Sequence, residues 1–338
     1  MDLNTVWFVL IGVLIAGYAV LDGFDLGAGA LSLLARSPEE RELHVAAVAP
    51  VWDGNEVWLL TGGGALFAAF PAVYATVFSG FYLALMLVLL ALIARAVSLE
   101  FRGQVASPAW KAFWDAAFGV GSLLPAILFG VAVGNVLHGV PVADGFAWQG
   151  SFLGLLNPYS LLVGLTTGAF FVMHGALYLR VKMEGALAER MGRVARRAWV
   201  VFLVLYALAT LSTAFASPFL FGRLTQPLGI ALTALVVLSV VGIPLFTRGG
   251  RARWAFTASS VLIVAMILVA AVNAYPILVV SSLGLDKSLT IYNAASSPRT
   301  LATMLVIALV GMPIVLVYTV LSYRVFRGKA HGRGYEAV

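Results

Sequence analysis

Six acidic residues stand where an apolar chain should not carry charge. Asp22 and Asp25 are three apart in Leu21-Asp-Gly-Phe-Asp-Leu-Gly27, and Asp53 and Glu56 are three apart in Val51-Trp-Asp-Gly-Asn-Glu-Val-Trp58. Helical periodicity puts each pair on one face. Glu100 and Asp115 complete the set, and no other acid falls within or at the ends of the apolar runs. An ionised carboxylate within a bilayer costs about 3 kcal/mol or more, so such groups are retained where they face protein, water or a partner. Two chemistries suit the pattern. Carboxylates linked by Ser, Thr and water pass protons inward, and carboxylates grouped at one depth hold a cation, as in transporters. The structural alternative is that Asp53 caps a helix after Pro50, Glu100 is solvated, and Arg95 neutralises a neighbour.

The elements that must position these acids are membrane helices. Hydrophobic residues make up 62% of the 338 and charged residues 11%, with a mean hydropathy of +0.99, far from the composition of a soluble domain. Apolar runs of spanning length occur at 5–34, 52–70, 74–99, 112–136, 158–180, 197–216, 227–247, 253–278 and 300–325. They predict nine transmembrane helices in a single integral membrane domain over residues 1–338, with no room for a soluble catalytic domain. The first run is too long for a signal peptide's apolar region and is expected to be retained.

Basic residues orient the chain. With the C-terminal segment Tyr323-Arg-Val-Phe-Arg-Gly-Lys329 in the cytoplasm and the N-terminus outside, only Arg223, Lys287 and Arg299 of the 21 Lys and Arg fall outside. The +6 charge therefore signals topology rather than nucleic acid. In the basic stretch from Arg180 to Arg197, expected as a loop, that role competes with anionic lipid binding. Asp22 then lies about 25 Å along the first helix, and all six acids converge on the cytoplasmic side. The last five runs contain no acid.

Cysteine is absent, which excludes disulfides, thiolate ligands and iron-sulfur clusters. Of four histidines, His44 and His331 fall in cytoplasmic segments and His138 near the outer face; only His174 is placed as a buried haem ligand would be. A bis-His haem needs a second at matching depth, and there is none. The glycines of Gly27-Ala-Gly-Ala30, Gly62-Gly-Gly-Ala65 and Gly119-Val-Gly121 predict close helix packing.

Val20-Leu-Asp-Gly-Phe-Asp-Leu-Gly27, Ala49-Pro-Val-Trp-Asp-Gly-Asn-Glu-Val-Trp58 and Gly62-Gly-Gly-Ala-Leu-Phe-Ala-Ala69 resemble the signature segments of subunit II of cytochrome bd-type quinol oxidases. The likeness continues, in order, through Phe78-Ser-Gly-Phe-Tyr82, Gly134-Asn-Val-Leu-His-Gly-Val-Pro141, Leu156-Asn-Pro158 and Ser288-Leu-Thr-Ile-Tyr-Asn-Ala-Ala-Ser-Ser297. The resemblance implies an all-α polytopic membrane protein with its nine helices arranged as two four-helix bundles plus one peripheral helix. It implies a haem-free subunit of the bacterial cytoplasmic (inner) membrane, inactive alone, beside a subunit I that holds haem b and haem d, or haem b only. That partner oxidises ubiquinol or menaquinol near the outer face and reduces oxygen to water.

The resemblance carries Asp53 and Trp52 onto a subunit interface associated with proton supply, with Asn55 and Trp58 assigned to the same interface. It places Asp22, Asp25 and Glu100 in the family's polar network, so that with Glu56 and Asp53 they form the expected proton path. Glu100 stands where some members have Asp. No cofactor is expected on side-chain ligands of this chain, although some members hold a structural quinone here. Membrane lipids, quinone and small single-helix accessory subunits complete the partners implied, with no nucleic acid among them. A proton-coupled secondary transporter is the alternative from another class. It requires paired interrupted helices, which the two halves do not show as a matched pattern.

Overall fold

The computed structural model describes residues 2–330. Prolines set where many of its helices begin. α1 spans Leu3–Ser32, α2 Pro38–Val48, α3 Trp52–Ala69, α4 Pro71–Gly80, α5 Tyr82–Phe101, α6 Pro108–His138, α7 Pro158–Lys182, α8 Gly185–Ala216, α9 Pro227–Arg248, α10 Ala252–Ala274 and α11 Pro298–Val325. Six of them start on proline, whose fixed φ suits the first helical position and whose missing N–H is not needed there. Side-chain caps add to this at Asp2, which accepts from Thr5 N at 2.7 Å, and at Asn157, which accepts from Ser160 N at 2.9 Å. Short strands β1 (Ile277–Val279) and β2 (Leu289–Thr290) pair antiparallel at the end where α1 begins, a small addition to an otherwise helical chain.

Among the described residues, eight helices are long and apolar enough to cross a membrane: α1, α5, α6, α7, α8, α9, α10 and α11. α3 is not among them, because Asp53, Asn55 and Glu56 crowd its first turns and lower its hydropathy. The structure departs from the expected boundaries at three places. The helix predicted over 74–99 is divided, with Phe81 (φ −97°, ψ 13°) between α4 and α5. Trp148 packs against that break: a Cβ on Gly80 would stand 2.4 Å from its indole, and its ring sits 5.7 Å from that of Phe81. The basic stretch expected as a loop over 180–197 is mostly the first turns of α8. α2 was not anticipated as a helix at all, although Ser37 caps it by accepting from Glu40 N at 3.2 Å.

α1 is the central helix, packed against α3, α6, α7 and α10, while α11 packs chiefly against α1 and α3. α1 and α7 approach so closely that a Cβ on Gly27 would stand 1.8 Å from the carbonyl oxygen of Phe171. Gly17 likewise lets the Trp58 ring of α3 lie on α1. α2 is fastened by charge: Asp115 of α6 accepts from Arg41 (3.2 Å) and from Arg102 at the end of α5 (2.6 Å), and Glu40 pairs with Arg190 of α8.

Inside α2, His44 is almost fully buried, and burial pushes its imidazole down to about 4. The unfolded chain protonates it near its ordinary value of 6.5, so between those values the unfolded state binds more protons and stability rises with pH. The contribution, about 3 kcal/mol, is complete above the ordinary value and is lost as pH falls toward the lower one. The thermal midpoint of the purified protein is expected to drop between pH 7 and pH 5, and His44→Gln to flatten that slope. An equal slope in the variant would assign it to other groups.

Candidate functional site

A fully buried arginine organises the site. Arg95, on α5, donates to both carboxylate oxygens of Asp22, through Nη1 at 3.0 Å and Nη2 at 2.6 Å. Nη2 also lies 3.9 Å from Asp25 Oδ2, and Nη1 lies 3.3 Å from Glu56 Oε1. A bidentate fork on one carboxylate, with two more in reach, is geometry that guanidinium supplies and an ammonium does not. α1 brings Asp22 and Asp25 on one face, α3 brings Glu56, and α5 closes the site. Asn55 Nδ2 donates to Asp25 Oδ2 at 2.7 Å, and its Oδ1 accepts from Tyr323 of α11 at 2.9 Å. One cation thus faces two fully buried carboxylates and a third, Glu56, that is half-buried. With all three ionised the site carries excess negative charge, and a bound proton offsets it.

The expected acids separate into three groups. Asp22, Asp25 and Glu56 meet at Arg95. Asp53 is exposed near the start of α3 and does not cap it; the N-cap is Val51, with no side-chain cap bond. Glu100 is also exposed and has no ion pair among the described residues; its backbone carbonyl accepts from Gln104. Asp115 belongs to the separate cluster with Arg41 and Arg102 that holds α2. Of the residues assigned to an interface, Trp52 is half-buried at the start of α3, whereas Asn55 and Trp58 are buried within this chain. Tyr18 and Tyr323, which border the cluster, were not expected in it. Tyr18 precedes Asp22 by one helical turn, a spacing that signals a shared face; nothing in the sequence pairs Tyr323 with Asn55.

His174 Nδ1 is 2.7 Å from Ser259 Oγ, its Nε2 is 3.0 Å from the Val20 carbonyl, and its ring stacks on Phe256. Both nitrogens are therefore engaged. His44 is buried in α2 against the Ala28 carbonyl, and His138 is exposed beside Tyr159. His331 lies outside the described residues. No group of three or more His, Asp and Glu able to hold a metal occurs among the described residues.

This architecture is shared. The chain's fold matches that of a bd oxidase from Geobacillus thermodenitrificans, with a TM-score of 0.80 over 96% of this chain and 99% of that one, at 17% identity. In sequence it is 39% identical over 354 residues to the cytochrome bd-I ubiquinol oxidase subunit 2 of Escherichia coli K12, covering 95% of this chain and 93% of the relative. It is 36% identical over 332 residues to the cytochrome bd ubiquinol oxidase subunit 2 of Bacillus subtilis, covering 96% of each. The family model for cytochrome bd terminal oxidase subunit II matches residues 3–326. With the likeness running nearly end to end, the chain belongs to the cytochrome bd terminal oxidase subunit II family.

Proposed function

We propose that this chain is the haem-free subunit of a quinol:oxygen oxidoreductase, and that its Arg95 cluster is the buried segment of a proton path feeding oxygen reduction in the partner. The observation that carries the reading is three carboxylates converging on one buried guanidinium. Such a site holds a proton and yields it at little cost, because the excess charge favours uptake while the fixed guanidinium favours release. In the relatives the quinol is named as ubiquinol; ubiquinol and menaquinol are alternative substrates here. Haem b and haem d, or haem b only, belong to subunit I, consistent with His174 being fully engaged within this chain. A structural quinone and single-helix accessory subunits remain part of the proposal on family grounds alone.

The topology follows from charge. The ends of α1, α5, α7, α9 and α11 and the starts of α3, α6, α8 and α10 lie together with most of the arginines and lysines, and this is the side we assign to the cytoplasm. α3 serves as the ninth crossing of a single integral domain, its polar start tolerated because it faces Arg95. The nine crossings then form two four-helix bundles, with α11 as the peripheral helix. α11 is exposed to an unusual degree, with Ile307, Leu309 and Ile314 each about two-thirds exposed. Together with the neighbouring α3 it offers subunit I an apolar face beside Trp52 and the exposed Asp53. The proton would enter near Asp53, with Glu100 at the same membrane surface, and pass to Glu56, Asp25 and Asp22. The matched relatives carry oxidase names, which disfavours the transporter alternative.

Asp53→Asn in the assembled oxidase is expected to lower quinol-driven oxygen uptake per haem by about tenfold or more, with haem content unchanged. Lost haem would make Asp53 an assembly residue, and unchanged uptake would remove it from the path.

A further inference from the structure

Around Arg95 the hydrogen bonding does not close within the protein. Asp25 Oδ1, Glu56 Oε1 and Arg95 Nε are buried without a hydrogen bond inside the protein, and the buried Tyr18 Oη has only the Asp22 carboxylate beside it to donate to. These atoms belong to one neighbourhood. Arg95 lies 3.9 Å from Asp25 and 3.3 Å from Glu56, and the Tyr18 hydroxyl is close enough to Asp22, Arg95 and Glu56 to feel their charges. Isolated unpaired buried groups are uncommon in folded proteins. Three in one cluster, two acceptors and one donor, beside a hydroxyl that can still accept, match what bound water satisfies, since a buried water makes about three hydrogen bonds to such groups. Replacement by apolar packing is not open to Asp25, Glu56 and Arg95, because the ion pairs fix all three in place.

We propose that Tyr18, Asp25, Glu56 and Arg95 enclose a site for about one or two bound waters, and that Tyr18 joins this hydrated cluster to the apolar half of the chain. Tyr18 sits one turn, about 6 Å, beyond Asp22 on α1 and packs against Trp58 and Leu14. Trp58 carries another buried, unpartnered N–H. Past it, Leu14, Val57, Trp58, Thr61, Met312 and Val315 line a small cavity of about 10 Å³ between α1, α3 and α11, roughly the room of a single water. A phenol flanked by water on one side and a carboxylate on the other passes a proton by breaking its own O–H bond as it accepts a new one, with no net change in its charge. The water site stands on geometry; only the use of Tyr18 as a relay rests on the proton-path reading.

The test is a cryo-EM map of the intact oxidase complex that resolves ordered waters at other buried sites, with Tyr18→Phe, which keeps the ring, as its companion. Density about 2.6–3.2 Å from Tyr18 Oη and from a carboxylate oxygen of Asp25 or Glu56, weakened in the variant, is the expected result. A map showing buried waters elsewhere and none here overturns the proposal. Oxygen uptake by Asp25→Asn judges the proton path separately: full uptake with the water density present would leave the hydration site standing and sink the proton path.

Discussion

Arg95→Leu is expected to prevent accumulation of the assembled oxidase. The substitution leaves Asp22 with neither of its bonds at 3.0 and 2.6 Å, and it leaves Asp25 and Glu56 without a cation. Removing one partner of a buried ion pair costs about 3–5 kcal/mol, because the remaining charge stays desolvated and unpaired. Here one deletion strands three carboxylates joining α1, α3 and α5. Haem content of the membranes and the thermal midpoint of whatever complex can be purified measure the effect. Arg95→Lys is expected to recover part of the stability, since an ammonium neutralises one acid but cannot fork across Asp22 while reaching the others. Wild-type haem content and midpoint in Arg95→Leu would show that the ion pairs do not hold these helices together.

Gly27→Ala is expected to be comparably damaging for a steric reason. Its Cβ would fall 1.8 Å from the carbonyl oxygen of Phe171 and 3.0 Å from the Cα of Gly175; in return, a Cβ on Gly175 would meet Gly27 and Ala28 backbone at 2.4 Å. Both obstacles are main chain, which no rotamer change relieves, so α1 and α7 must separate along the crossing. Separation undoes packing of Phe24, Leu26, Met173 and Leu177, each nearly inaccessible, and buried contacts of this kind carry about 2–5 kcal/mol per large side chain lost. Gly12→Ala is the control: nothing lies within 4 Å of its Cβ position, and alanine is the better helix former by about 1 kcal/mol. Complex yield should fall sharply for Gly27→Ala and hold for Gly12→Ala. Equal yields would mean that the crossing adapts.

The apolar helices were legible because their signal is local: runs of spanning length, and glycines where backbones meet. α2 escaped a search for apolar runs because it is polar, though Ser37-Pro38-Glu39-Glu40 carries a start signal. The break at Phe81 was not legible, and Trp148, which packs against it, is distant in the chain. In the site, three-residue spacing pairs Asp22 with Asp25 and Asp53 with Glu56, and of these Asp22, Asp25 and Glu56 reach Arg95 while Asp53 does not. Residues three apart lie 60° from eclipsed on a helix of 3.6 residues per turn, enough for Glu56 to reach Arg95 while Asp53 faces out. Glu100 is five residues after Arg95, about 140° around α5, and its exposure follows. Arg95 was recognised as a neutralising charge but not as the hub, because the three acids it joins come from two other helices. Tyr323 reaches Asn55 across 268 residues, a pairing that only the packing of α11 creates.

Quinol-driven oxygen uptake per haem by the complex carrying Asp25→Asn tests the central claim most directly. Asparagine keeps the shape of the side chain but cannot take up and release a proton at that position. Uptake lowered by about tenfold or more, with haem content unchanged, is the result predicted for a buried proton path through the Arg95 cluster. Wild-type uptake at wild-type haem content would contradict it and leave the cluster a structural clamp.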